Sequence, residues 1–209
     1  ARKLDHPVGS DDAAMIAAAL AAAKHPLIIS GTGAGSASVM QAAAAVADGL
    51  CAAGKQAMLC LAVPEANSLG QALLCGEDAP NLEKIGSRVT AEDYDVLLVL
   101  ENDLYRRAPA GQVDRLLQGS AAVIALDGLD NGTCSVAQLV LPAASFAEAE
   151  GTLVNLEGRA QRHYPVFLPQ AERRPSWVWL LACMKELELP EVAELHHFDD
   201  ITRACAANI

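Results

Sequence analysis

Apolar residues in this chain gather in short unbroken runs rather than in strict alternation with polar ones. Leu27-Ile28-Ile29-Ser30, Ala57 to Ala62, Val96-Leu97-Leu98-Val99-Leu100, Ala121 to Leu126 and Leu139-Val140-Leu141 are such runs, bounded by Gly, Pro or Asp. A strand covered on both faces has no polar side to show, so continuous apolarity at this length reads as a buried strand. Helical patterns lie between and around the runs. Ser10, Asp11 and Asp12 supply N-cap chemistry for a helix to about Lys24, closed by His25-Pro26. A second helix is expected from about Ser36 to Ala53, stopped at Gly54-Lys55, and a third from Pro109 to Gln118 with proline in its first turn. The stretch up to Gly86 reads as helical or irregular, and Pro175 to Leu187 as a helix carrying Trp177 and Trp179. Strands alternating with helices predict the α/β class: a parallel sheet with helices on both faces. Beyond Pro142 the alternation breaks. We expect residues 1–142 to form the α/β domain and 143–209 a loop-rich extension with a C-terminal helix packed on it.

Composition narrows the picture. A chain of 209 residues, 52% hydrophobic and 20% charged, buries a sizeable core, and 4% aromatic content with abundant alanine favours helices packed closely on a sheet. A formal net charge of −11 argues against nucleic acid as a partner and against anionic lipid. The Ala-rich run from Ala13 to Ala23 falls short of the about 20 apolar residues a membrane span takes. Asp11, Asp12 and Lys24 flank it, so no direct membrane insertion is expected. The chain opens on ARKLDHPVGS, with neither an initiator Met nor the ordered regions of a signal peptide, as a piece of a longer polypeptide would. Its six cysteines form no CxxC pair, which writes neither a zinc site nor an iron–sulfur cluster and suits a reduced, cytoplasmic compartment. Asn131-Gly132-Thr133, though a sequon, then reads as a turn.

Candidate chemistry is sparse. Gly31-Thr32-Gly33-Ala34-Gly35-Ser36 follows the first strand, where a Rossmann-like fold turns around a dinucleotide phosphate. Its spacing is G-x-G-x-G, and Leu61-Ala62 stands where an acidic residue would close the second strand. Tight-turn glycines without a ligand explain it better. Gly49 to Gln56 nearly spells a P-loop, but helix precedes strand there and Gln56 replaces the magnesium-binding hydroxyl, so a helix C-cap is expected. His196-His197-Phe198-Asp199-Asp200 reads as a solvated polar terminus rather than a metal site, and His163 as a lone loop histidine. No G-x-S-x-G elbow is present. The group Glu148, Glu150, Glu157 and Arg159 has two readings. In one, Arg159 clamps the loop through Glu157; in the other, the loop walls a cofactor cleft at the strands' carboxyl ends.

Several segments together carry a resemblance. Leu141 to Gln161 has the pattern LPAA-x-F-x-E-x-x-GT-x-x-N-x-EGR-x-Q. Ala66-Asn67-Ser68-Leu69-Gly70, the strand and turn from Val96 to Asp103, Val123 to Asp127, Thr133, and Ala137 to Pro142 precede it in consistent order. Most of the chain thus resembles the molybdopterin oxidoreductase superfamily, and within it the large iron–sulfur subunits of NADH-quinone oxidoreductase, respiratory complex I. The departures bear on cofactor chemistry. Glu101 and Leu104 stand where catalytic relatives have Gly and Pro around the Asn-Asp turn, and Gln138 where they have Asp. A carboxylate at that turn repels a phosphorylated pterin by about 1 kcal/mol in water and by more when buried.

The resemblance implies a Rossmann-like domain without a redox centre of its own. On that reading it supports electron transfer from NADH to quinone, performs no chemistry, and packs against the rest of its polypeptide and other peripheral-arm subunits on the cytoplasmic face of the inner membrane. Iron–sulfur clusters belong to an N-terminal part that this chain does not contain. The alternative is a catalytic molybdenum enzyme of the formate dehydrogenase or nitrate reductase type. Asn67, Asn102, Asp103, Asp127 and Asn155 would then line a cleft holding molybdopterin guanine dinucleotide. A third option is a nucleotide-binding module built on Gly31, Gly33 and Gly35.

Overall fold

The computed structural model describes residues 10–76, 79–90 and 94–207. The opening nonapeptide, and the side chains of Ser10 and Asp11 on which the first expected cap falls, lie outside the described residues. The chain forms two compact units, 1–68 and 69–209.

In the first unit, α1 (Ser10–Ala22) leads into β1 (Leu27–Gly31), and α2 (Ala37–Ala52) crosses over to β2 (Met58–Ala62). The two strands run parallel, Leu27 opposite Met58 and Gly31 opposite Ala62. Gly54 ends α2 in the left-handed region at φ 80°, with its N–H on the Cys51 carbonyl, so the near-P-loop is a helix C-cap. At the strand ends the backbones approach closely. A Cβ on Gly31 would lie 2.1 Å from the Ala62 carbonyl oxygen, a distance that no side chain tolerates.

After α3 (Ser68–Cys75), the second unit holds α4 (Leu82–Thr90), β3 (Val96–Leu100), α5 (Ala110–Gln118), β4 (Ala122–Asp127), α6 (Gly132–Val136) and β5 (Leu139–Pro142). Strands β3, β4 and β5 form a parallel sheet in that order, with Val96 opposite Ala122 and Ile124 opposite Leu139. Its core joins α4, α5 and β4 through Val89, Val113, Leu116, Leu117 and Val123, with Leu104 closing one end. Leu97 and Val99 turn toward that core, while Val96, Leu98 and Leu100, on the opposite face of β3, stay exposed.

The region after Pro142 is more regular than its sequence pattern suggests. β6 (Gly151–Val154) and β7 (Ala160–His163) pair antiparallel, Gly151 opposite His163. α7 (Ser176–Glu186) follows, and then α8 (Phe198–Ala206) where a polar terminus was expected. The reason is the cap: the Asp200 carboxylate accepts the backbone N–H of His197 at 2.9 Å and of His196 at 3.0 Å, and starts the helix. Bonds also run across the division expected at 142/143. The Arg174 N–H donates to the Pro142 carbonyl at 3.2 Å, and the Trp179 indole N–H donates to the same carbonyl at 2.9 Å.

Candidate functional site

Polar chemistry concentrates where β3, β4 and β5 end. Glu101 leaves β3 at φ 45°, its N–H still on the Leu126 carbonyl at 2.7 Å, and its carboxylate accepts the hydroxyl of Ser176 at the start of α7. Asn102 accepts the Arg107 Nε proton at 2.9 Å. Asp103 caps the short turn Leu104–Arg106, taking the Tyr105 N–H at 3.3 Å.

Thr133 joins this turn to the next strand's end. Its hydroxyl donates to Asp103 at 3.2 Å and accepts the Leu104 N–H at 2.9 Å, in a side chain only 1% exposed. Asn131 holds Thr133 in place by capping α6, its Oδ1 accepting from Thr133 N at 3.0 Å and Cys134 N at 3.1 Å. The Asn131 amide in turn donates to Asp127 Oδ2 at 2.8 Å, while Asp127 Oδ1 takes the Leu129 N–H at 3.0 Å. One chain of bonds therefore runs Asp103, Thr133, Asn131, Asp127. Tyr105 flanks it, donating to Asp114 at 2.8 Å, and that bond, with burial, holds the phenol above its ordinary pKa. The ring lies over Gly132, where a Cβ would come within 2.7 Å of it. That close approach explains the glycine between Asn131 and Thr133.

Of the expected site residues, Asn102, Asp103 and Asp127 stand at these strand ends. Gly31, Gly33, Gly35 and Asn67 belong to the first unit. There the glycine turn folds on itself: Thr32–Ala34 makes one short helical turn, and Gly35, at φ 63°, donates its N–H to the Thr32 carbonyl. Asn155 shapes the hairpin turn, its Oδ1 accepting from Glu157 N at 3.0 Å and Arg159 N at 2.9 Å, with Gly158 at φ 75° completing the reversal.

Glu157 and Arg159 meet at 3.6 Å with side chains 73% and 69% exposed, the kind of surface pair that contributes little. Other residues fasten this region. Arg173 reaches Glu148 at 2.8 Å, and Glu148 also accepts the Ser145 N–H and hydroxyl at 3.0 Å each. Those Ser145 bonds, with the Arg173 charge, hold the Glu148 carboxyl below its usual range against the opposing effect of burial. Arg162 grips Glu150 at 2.6 Å and Asp199 at 2.5 Å, with its guanidinium over Phe198 and Tyr164. Sequence reasoning missed Arg162 and Arg173 because ion pairing across tens of residues leaves no local spacing. It missed the capping role of Asn131 by stopping at "turn", although Asn two residues before a Thr, ahead of a short polar helix, carries that signal.

A phosphorylated pterin needs donors and positive charge at these strand ends. The ends present Glu101, Asp103, Asp127 and Asp130 against Arg106 and Arg107, the Asn131 amide donates to Asp127, and the Asn102 oxygen is held by Arg107. The residues present do not fit such a group.

Parallel strands with helices between them, and their polar groups collected at the carboxyl ends, define a chain of the α/β class. The family model for molybdopterin oxidoreductase matches residues 8–185, and the chain belongs to that family. It is similar to the G subunit of NADH-quinone oxidoreductase from Pseudomonas putida, 43% identical over 208 residues, which covers 95% of this chain and 23% of the relative. The protein of the same name from Shewanella oneidensis is 43% identical over 202 residues, covering 94% of this chain and 22% of the relative. That of Escherichia coli K12 is 39% identical over 193 residues, covering 89% and 21%. The chain thus spans less than a quarter of the length of these curated relatives.

Proposed function

We propose that this chain acts as a structural domain within an NADH-quinone oxidoreductase, respiratory complex I, supporting electron transfer from NADH to quinone without chemistry of its own. The observation that carries the reading is the 43% identity to the G subunit of that complex across 95% of the chain. The strand ends support it from a second side. Asp103, Asp127, Asn131 and Thr133 spend their hydrogen bonds on one another and on helix caps, and Asn102 accepts from Arg107, as residues of a scaffold do.

On this reading the partners are the remainder of a longer polypeptide and neighbouring peripheral-arm subunits. The iron–sulfur clusters lie elsewhere in that polypeptide, and the complex sits at the cytoplasmic face of the inner membrane. Among the described residues no helix is long and apolar enough to cross a membrane, so attachment would come through other subunits.

The test is to purify the complex that contains the full-length parent and assay molybdenum and oxidised-pterin fluorescence alongside NADH oxidation. We expect an active complex without stoichiometric pterin. Stoichiometric pterin would overturn the scaffold reading and make the Asn102 and Asp127 loops a working cofactor cleft.

A further inference from the structure

At the carboxyl ends of β4 and β5 lies an open groove of about 400 Å³, lined by Asp127, Gly128, Leu129, Asp130, Cys134, Val140 and Pro142. Its walls combine two properties that rarely meet without reason. The rim is apolar: Leu129 is 75% exposed and Val140 is also open to solvent. The floor is acidic, and no basic residue lines it. Asp127 is held rigidly by Leu129 N and the Asn131 amide, whereas Asp130 is exposed and has no ion-pair partner among the described residues. The field of these groups is felt by Cys134, whose thiol is pushed up by burial first and then by the charges of Asp127, Asp130 and Asp103.

We propose that this groove receives a basic side chain flanked by an apolar one, presented by a protein neighbour. Charge complementarity selects the sign: an acidic or phosphorylated group would meet Asp127 and Asp130 without a cation to offset them. The dimensions and the rim select a polypeptide over a simple ion. Both oxygens of Asp127 already accept hydrogen bonds, which leaves poor coordination for a metal, and the volume takes an extended side chain with an apolar neighbour resting on Leu129 and Val140. Rigid carboxylates beside exposed apolar surface give a partner both register and desolvated contact. The inference deepens the scaffold role by naming where one neighbour attaches, and rests on that role only for the neighbour's being a protein.

The test titrates the full chain against two fluorescein-labelled tetrapeptides, Leu-Arg-Val-Arg and Leu-Glu-Val-Glu, read by anisotropy. The basic peptide is expected to bind saturably, more weakly at high salt, and the acidic one not at all. Asp130→Asn should weaken binding about two- to fivefold, as removal of one exposed charge does. Asp130→Lys should weaken it by about tenfold or more, since like charges then face each other. Leu129→Ser should weaken it at unchanged salt dependence, while Glu83→Lys on α4 should leave it as it is. Failure of the basic peptide to bind, equal binding of the acidic one, or indifference to Asp130→Lys would overturn the proposal. So would complete displacement by magnesium at matched ionic strength, which would mark a small-cation site. The molybdenum and pterin assay reads the scaffold role separately, so either reading can fail alone.

Discussion

Strands β1 and β4 are both short apolar runs, Leu-Ile-Ile-Ser-Gly and Ala-Val-Ile-Ala-Leu-Asp, and meet opposite fates. In β4, Val123, Ala125 and Leu126 are almost wholly buried. In β1, Leu27 and Ile29 lie mostly open, and so does Met58 on the neighbouring strand. An apolar run therefore states that a strand tolerates cover on both faces. What supplies the cover is decided elsewhere: for Val123 of β4 by the apolar residues of α4 and α5. Burial, not composition, sets what each residue contributes.

The sharpest way to test this contrast is a matched pair of truncations. Leu126→Ala should cost about 2–5 kcal/mol in urea unfolding of the second unit, because it removes buried methyl groups and leaves a cavity. Ile29→Ala should stay within about 0.5 kcal/mol, as expected of an exposed position. Equal costs would mean that the surface of β1 is covered in solution. Next in size, Thr133→Val keeps shape but strands the Leu104 N–H and removes a donor to Asp103. A loss of about 1–3 kcal/mol is expected, and a neutral result would show that the polar link between the strand ends is dispensable.

Glu148 offers a pH test. Its folded-state pKa is depressed by the Ser145 bonds and by Arg173, so the stability it contributes is complete above the ordinary carboxylate range. That contribution is lost as pH falls through its lowered folded value. Glu148→Gln should flatten the acid limb of a stability-versus-pH curve while changing the limb above neutrality little. The smallest effect belongs to Glu157→Ala, within about 0.5 kcal/mol, because an exposed pair at 3.6 Å contributes little. A larger loss would restore the clamp that the sequence suggested for Arg159.

Regular elements were legible wherever one residue class dominated. The runs at 96–100 and 139–141 became β3 and β5 with bounds within a residue, and Gly54 stopped α2 as expected. The hairpin was not legible. Gly-Thr-Leu-Val and Ala-Gln-Arg-His mix polar and apolar residues over too few positions for a period to emerge. Its turn was signalled instead by Asn155, which the family pattern had drawn into a cofactor reading, and by Gly158. Helix α8 escaped for a related reason, because adjacent histidines drew attention to metal binding while Asp200 carried the cap. At the strand ends the right residue types were singled out, Asn102, Asp103 and Asp127. Thr133 and Asn131, which connect them, stand about thirty residues from the turn after β3, and only folding brings them there.

Arg162 carries one more consequence. It holds Asp199, 37 positions further along the chain, and its guanidinium rests on the Phe198 ring, while the intervening segment Tyr164 to Leu168 is exposed. A protease that nicks this segment severs the chain without severing the grip. The two pieces should travel together through a native gel-filtration column and separate only in denaturant, so a preparation can be broken in sequence while it remains whole in shape.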